Sequence, residues 1–173
     1  MSFIVEDGTG KSDATSYQTV AECKAYWDSI GVDYSLLSDA QIEVYLNKGA
    51  NALTAIFQSR LSGYKAVAGQ RLDFPRYQCE IKGGALTEFW LDSSGAASIP
   101  ERLKEAQSIL ANDARTKELM PNVKPRVLEK SLGRNALSIK YAQYGSQLTQ
   151  YTAVEALLAP YLSASSNQGS YTR

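Results

Sequence analysis

The chain contains no histidine, which removes several common chemistries from consideration. Ser-His-Asp and Cys-His catalysis, histidine-ligated zinc and histidine-based pH switches all need an imidazole. Only two cysteines occur, Cys23 and Cys79, which are too few for a disulfide scaffold or an all-cysteine zinc site. We expect Cys23 to be a buried thiol and Cys79 to be incidental.

Long apolar runs are also missing. No stretch reaches the roughly 18 apolar residues of a membrane helix, and the start MSFIVEDGTGKSD lacks the basic region of a signal peptide. With 44% hydrophobic and 21% charged residues, the composition is that of a folded protein. We expect a soluble chain with no membrane partner.

The sequence has no net charge, since 18 Lys/Arg balance 18 Asp/Glu. This balance weakens the case for a dedicated nucleic-acid binder. The total hides a split, because residues 1–114 carry 10 Lys/Arg against 15 Asp/Glu and residues 115–173 carry 8 against 3. The split favours contact between copies, or a different partner for each half, although undirected drift of surface charge gives the same pattern.

Apolar residues at helical spacing predict a mainly α fold with a three-helix core, in helices near 19–31, 38–60 and 100–118. The first two helices begin with the capping-box patterns Thr19–Glu22 and Ser38–Gln41. Gly31 is a plausible stop for the first helix. We also expect Trp27 in the core, Gly49 and Ala50 at a close helix contact, and Pro100 in the first turn of the third helix.

Alternating residues after Pro125 predict a β-hairpin within 126–142, with a turn of four or five residues around Leu132–Asn135. A short last helix is expected from Val154 to about Leu162, bent by Pro160. The chain is thus predicted as one domain over 1–162, followed by a flexible tail over 163–173.

An irregular insert is expected over 62–97, where glycines and Pro75 punctuate the sequence. It interleaves bases with aromatic residues, which could stack bases and follow phosphates on a single strand. The candidate contacts are Arg71, Phe74, Arg76, Tyr77 and Lys82. A loop folded over a helical core would show the same mixture.

The search for reactive groups is largely negative. The segment Gly8–Ser12 is similar to the end of a phosphate-binding loop, but it lacks the earlier spaced glycine and a preceding strand. The aspartates lack calcium-loop spacing, and paired carboxylates such as Glu101 and Glu105 fit a solvated helix face. We therefore expect no enzyme, no catalytic residue, no cofactor and no metal.

Several runs in a fixed order resemble a group of tailed-phage proteins, often labelled DnaT-like single-stranded-DNA-binding proteins. The matching runs are Ser16–Glu22 with Tyr26, Leu37–Ala40, Gln70–Arg76, Ile99–Pro100, Lys130–Gly133, Ile139–Tyr141 and Leu158–Leu162. The sequence departs from the usual pattern at Asn51–Thr54, and Phe74 stands where a tryptophan is usual. In size and helical layout these proteins are similar to head–tail connector adaptors, also called head-completion proteins.

The resemblance to connector adaptors implies a structural virion protein of the phage neck, made in the host cytoplasm. Its copies would form a ring, usually a dodecamer, that binds the portal protein and a stopper or tail-completion protein. Genomic DNA would pass through the channel without sequence readout. We favour this function because a neutral helical subunit with split charge suits ring assembly. The alternative is a single-stranded-DNA-binding module of phage replication, with contacts at Arg71, Phe74, Arg76 and Tyr77.

Under the adaptor interpretation, the portal contact is expected in the C-terminal region. The last helix is predicted to offer apolar surface, and aromatic or guanidinium groups at the end of the tail suit an interface. The predicted docking residues are Leu157, Leu158, Tyr161, Leu162, Tyr171 and Arg173.

Overall fold

A computed structural model describes residues 2–77, 99–121, 127–133, 136–141 and 151–163. Within these residues the protein is mainly α, with four α-helices and a β-hairpin. Among the described helices, none is both long and apolar enough to cross a membrane.

Helices α1 (Val20–Ser29) and α2 (Asp39–Phe57) begin as the capping boxes predict. The Thr19 and Ser38 hydroxyls accept the N3 backbone N–H groups, and the Glu22 and Gln41 side chains accept the N-cap N–H groups. At the end of α1, Gly31 has a φ of +70° and its N–H donates to the carbonyl of Asp28. Val32 N–H donates to the carbonyl of Trp27, which completes a Schellman motif. The predicted stop at Gly31 is confirmed.

Helix α3 (Glu101–Asp113) ends five residues before its predicted limit at 118. Pro100 is predicted in the first turn of this helix. In the structure it is the N-cap, one position before the first turn. Helix α4 (Thr152–Leu158) continues as a 3₁₀ turn at Ala159–Tyr161. Pro160 lies in that turn. Because a proline has no backbone N–H to donate, the α-helical hydrogen bonding ends there.

Helix α3 packs against α1, α2 and α4. Its contact with α2 is close at Gly49, where an added Cβ would lie 3.0 Å from the carbonyl oxygen of Gln107. This confirms the close helix contact predicted there. Trp27 and Cys23 are fully buried, as expected, and the Trp27 indole N–H donates to the carbonyl of Ser108 at 3.0 Å.

A buried polar network ties the N-terminal segment to this helix pair. The fully buried Gln107 amide donates to Ser16 Oγ and to the carbonyl of Leu46, both at 2.9 Å, and accepts from the backbone N–H of Tyr17. Gln18 donates to Ser108 Oγ at 2.8 Å. Because these buried groups are paired, residues 16–18 are fixed against α3.

The described part of the chain also contains two antiparallel strand pairs. Strand β1 (Tyr64–Lys65) pairs with β2 (Arg76–Tyr77) inside the predicted insert, which is otherwise irregular where it is described. Strands β3 (Val127–Gly133) and β4 (Ala136–Tyr141) form the predicted hairpin. Gly133 pairs with Ala136, so only two residues separate the paired positions. The predicted turn of four or five residues was therefore too long.

Candidate nucleic-acid interface

Arg76, one of the predicted DNA contacts, is a buried structural residue. It is 7% exposed, and its guanidinium donates to three backbone carbonyls. Nε contacts Ser62 O at 2.8 Å, and the terminal nitrogens contact Gly63 O at 2.6 Å and Asp73 O at 3.4 Å. These bonds hold the start of β1 against β2, so Arg76 is not available to a phosphate group.

Phe74 is buried as well, at 1% exposure, and packs edge-on against Tyr161 with 6.0 Å between ring centroids. Arg71 is exposed and Tyr77 is half-buried, while Lys82 lies outside the described residues. The four residues predicted as one contact set therefore divide into a buried pair and an accessible pair. Phe74 is covered by its packing on Tyr161, and Arg76 is held by the carbonyls of its own loop. Arg71 and Tyr77 are therefore the predicted contacts that keep exposed surface.

The accessible pair has a neighbour that the sequence did not reveal. Tyr64 on β1 lies directly opposite Tyr77 on β2, and residues opposite each other in an antiparallel pair share a face. Tyr64 is 71% exposed, which is unusual for such a large ring. The other cross-strand pair, Lys65 with Arg76, lies on the opposite face. We call the surface formed by Tyr64 and Tyr77 the tyrosine ribbon.

The loop that carries the ribbon is supported from below. Gln70 is buried, and its amide donates to the carbonyls of Leu72 and Pro75 at 2.8 and 3.0 Å. The hydroxyl of buried Tyr17 accepts the backbone N–H of Asp73 at 2.9 Å. Burial, and next the charge of Asp73, raise the pKa of Tyr17, so its phenol stays protonated. These hydrogen bonds fix the loop that connects β1 and β2, and with it the two strands that carry the ribbon.

A second candidate surface is a cleft of about 550 Å³ between α2 and the residues that follow α3. We call it the basic cleft. It is lined by Lys48, Asn51, Ala114, Arg115, Thr116, Lys117, Glu118, Leu119 and Met120. Three of these side chains are cations and one is an acid, so the lining has a net positive charge. Its volume suits a small ligand or a segment of one.

Each cation of the basic cleft lies over an aromatic ring. The distances to the ring centroids are 5.7 Å for Lys48 over Tyr45, 5.8 Å for Arg115 over Trp27 and 5.5 Å for Lys117 over Tyr151. Arg115 also donates to Asn112 Oδ1 at 2.9 Å, and Lys117 lies 2.9 Å from Asp113. Ring contacts of this kind stabilise a cation without neutralising its charge.

The backbone of Leu119, which lines the cleft, is fixed by a hydrogen bond. The Tyr151 hydroxyl donates to the carbonyl of Leu119 at 2.6 Å. Burial raises the pKa of Tyr151, although the positive charge of Lys117 opposes this shift, so the phenol remains a donor. Sequence reasoning did not propose Lys48, Arg115 or Lys117 as contacts. The basic excess of residues 115–173 was the signal that pointed to this region.

The backbone N–H groups of the glycine-rich segment near the N-terminus are occupied by a carboxylate of the same segment. The carboxylate of Glu6, which is 2% exposed, accepts the backbone N–H groups of Gly8, Gly10 and Lys11 at 2.8–2.9 Å. Positive φ angles at Gly8 and Gly10 turn these N–H groups inward. An external phosphate would have to displace Glu6, so this segment is a self-contained loop.

A second carboxylate in the same loop, that of Asp7, is held on the surface. Hydrogen bonds from the Thr9 hydroxyl and from Lys11 lower the pKa of Asp7 to about 2.

The predicted docking helix turns its apolar side inward. Leu158, Tyr161 and Leu162 are at most 9% exposed, and Leu157 packs partly buried against the same cluster. Tyr171 and Arg173 lie outside the described residues. The surplus apolar surface that suggested a docking site covers the protein's own core.

Comparison with known families gives the chain its class. The described surface offers the exposed ring of Tyr64 beside half-buried Tyr77, and a cleft with a net positive charge. A family model described as "Putative DnaT-like ssDNA binding protein" matches residues 1–173, and the chain belongs to this family. Neither a curated protein nor a solved structure shows a significant match.

The family match corrects the interpretation that we favoured from the sequence. The connector-adaptor function was wrong, because the family that spans the chain is described by single-stranded-DNA binding. The assembly and the partners inferred from that function are contradicted too: the ring of copies with its DNA channel, the portal protein, and the stopper or tail-completion protein. The resemblance to connector adaptors that we drew from the ordered residue runs was therefore wrong as well.

Proposed function

We propose that this protein is a single-stranded-DNA-binding module of phage replication that acts by binding rather than by catalysis. The observation that carries the proposal is membership, over residues 1–173, of a family described by this activity. As part of the same proposal, the protein works in the host cytoplasm, where replication exposes single strands.

The tyrosine ribbon is the surface we assign to the bases. Every base has a π-face, so stacking on tyrosine is tolerant of sequence and worth about 1–3 kcal/mol per base. Tyr64 is 71% exposed, and Tyr77 lies opposite it on the paired strand. Arg71 is exposed in the loop between the two strands, within the segment where the sequence predicted DNA contacts.

The finer architecture belongs to this proposal too. We propose that residues 1–162 form one domain, that α1, α2 and α3 are its folding core, and that α4 is added to it. Contacts of α3 with the other three helices support this arrangement. The domain would then act as a rigid support for the ribbon.

A fluorescence-anisotropy titration with a labelled thymidine oligonucleotide tests the function. We expect binding to the single strand, weaker binding to a duplex of the same length, and little dependence on base sequence. Replacing Tyr64 by Leu should weaken binding by about tenfold, because one stacked base is lost. The double variant with Tyr77→Leu should weaken it further.

Tyr26→Leu is the matched control. Tyr26 is a half-buried tyrosine of α1 whose phenol feels the charge of Glu105, and it lines neither the ribbon nor the basic cleft, so its loss should leave DNA affinity unchanged. Absence of binding by the folded wild-type protein at low salt would contradict the proposed function. Equal losses in the Tyr64 and Tyr26 variants would contradict the assignment of the ribbon.

A further inference from the structure

We propose that the basic cleft binds the sugar-phosphate backbone of the strand whose bases stack on the tyrosine ribbon. This inference rests on the proposed function and divides it into two surfaces. One surface holds bases through rings, and the other holds phosphates through charge. The two kinds of contact respond differently to salt, so they can be separated by experiment.

The charge of the cleft is complementary to phosphate. Lys48, Arg115 and Lys117 line it together with a single acid, Glu118. Lys48 is exposed and makes no ion pair with the residues that the structure describes. Lys117 pairs with Asp113, but both side chains are partly exposed, so a phosphate can compete for the ammonium group.

The cations are also held in place before any ligand arrives. Each lies 5.5–5.8 Å from the centroid of an aromatic ring that belongs to the folded core or its edge. Contact with a ring limits the freedom of a long side chain but leaves its charge available to an anion. Because little side-chain freedom remains to be lost, binding of a phosphate at the cleft costs less entropy.

The polar groups of the lining fit a backbone ligand. Asn51 and Thr116 are exposed and can donate hydrogen bonds to phosphate or sugar oxygens. Flat aromatic surface for a base is less available here, since the rings of Trp27 and Tyr151 are buried beneath their cations. The cleft therefore suits phosphate better than it suits a base.

The test measures how DNA affinity depends on salt. Each phosphate neutralised on a single strand contributes about −0.7 to the slope of log K against log salt concentration. The double variant Lys48→Gln/Lys117→Gln should make this slope shallower by about 1.4 between about 50 and 200 mM salt. The Tyr64→Leu variant should lower affinity at every salt concentration without changing the slope.

The double variant Lys24→Gln/Lys104→Gln is the matched control, because it removes the same charge elsewhere. Lys24 also lies over a ring, at 5.8 Å from Tyr34, and pairs with Asp39. Lys104 pairs with Glu22 at 2.6 Å. We expect this control to keep the wild-type slope. Circular dichroism confirms that both double variants are folded.

The outcomes separate the inference from the function beneath it. If the wild type binds single strands and the cleft variant keeps the wild-type slope, the cleft assignment is wrong while the function stands. Equal slope changes in both double variants also overturn it, because general surface charge then accounts for the effect. If the wild type binds no single strand, both the function and the inference are wrong.

Discussion

At the scale of single residues, Arg76 directs its guanidinium nitrogens at three backbone carbonyls, those of Ser62, Gly63 and Asp73. A planar group with five donors can join several carbonyls at once, which a lysine cannot do in the same geometry. Arg71, five positions earlier, is exposed. Two arginines that look equivalent in the sequence therefore have different roles.

Replacing Arg76 by Ala should destabilise the protein by about 3 kcal/mol, because it leaves three carbonyls, one buried and two partly buried, without a charged donor. Arg76→Lys should recover only part of this loss. Urea unfolding followed by circular dichroism measures both effects. Arg71→Ala is the control and should change the free energy of unfolding by less than about 0.5 kcal/mol. Similar losses at the two positions would contradict the structural role of Arg76.

At the scale of elements, the packing of α2 on α3 depends on the missing side chain of Gly49. An added Cβ would lie 3.0 Å from the Gln107 carbonyl oxygen and 3.3 Å from the Ala111 backbone nitrogen. Both are backbone atoms, which cannot turn away as a flexible side chain could. Gln107 also links the two helices through its bond to the carbonyl of Leu46.

Gly49→Ala should therefore destabilise the protein by about 1–2 kcal/mol. Alanine favours a helix over glycine by about 1 kcal/mol, but pushing the helices apart costs more. The control is Asn51→Ala in the same helix, where the side chain is exposed and the change should be neutral or slightly stabilising. Thermal and urea unfolding compare the two variants. A Gly49→Ala protein as stable as the wild type would contradict this prediction, because the two helices could then separate without loss of stability.

The buried polar network belongs to the same scale. Residues 16–18 lie about 90 positions before Gln107 and Ser108 in the chain, yet they are hydrogen-bonded to them. Such bonds leave no pattern in the sequence, because side-chain amides and hydroxyls are equally common on surfaces. They became visible only when the helix pair was assembled.

At the scale of the whole molecule, stability should fall at alkaline pH. Burial raises the pKa of the Cys23 thiol to about 11 from its ordinary value of 9.0. A raised folded pKa means that the unfolded chain releases the proton first, so stability is complete below about pH 9 and declines as pH rises towards 11. Burial also raises the pKa of Tyr17, which extends the decline upward.

Urea midpoints measured from neutral pH to pH 11 check this expectation. Cys23→Ala should remove the part of the decline that begins near pH 9, leaving the part contributed by tyrosines whose pKa is raised, Tyr17 and Tyr151 among them. The slope with pH is the informative quantity, since the substitution itself changes the baseline stability. Wild-type and variant curves that fall in parallel would contradict the role of Cys23.

At this scale, the uneven distribution of charge along the sequence can be related to a particular surface. Arg115 and Lys117 belong to the basic C-terminal half, and they meet Lys48 of the acidic half in one cleft. A count along the sequence could only give each half a sign. The fold brings one lysine of the acidic half beside the basic residues, which concentrates positive charge at a single surface.

The sequence by itself determined the local structure. Both capping boxes, the glycine stop at Gly31, the small residue at the Gly49 contact and the existence of the hairpin could be predicted. Each depends on residues within about four positions of one another, or on a simple alternation, so the signal lies in the local spacing. The order of motifs did not have this reliability: it suggested connector adaptors, and the family match contradicts that assignment.

Only the tertiary structure decided which side chains are accessible. Phe74 and Arg76 are buried while Tyr64 and Arg71 are exposed, and the apolar face of α4 covers the core. The basic cleft exists because α2 and the chain after α3 are brought together. Accessibility depends on long-range packing between segments, which a one-dimensional pattern of bases and aromatic residues does not record.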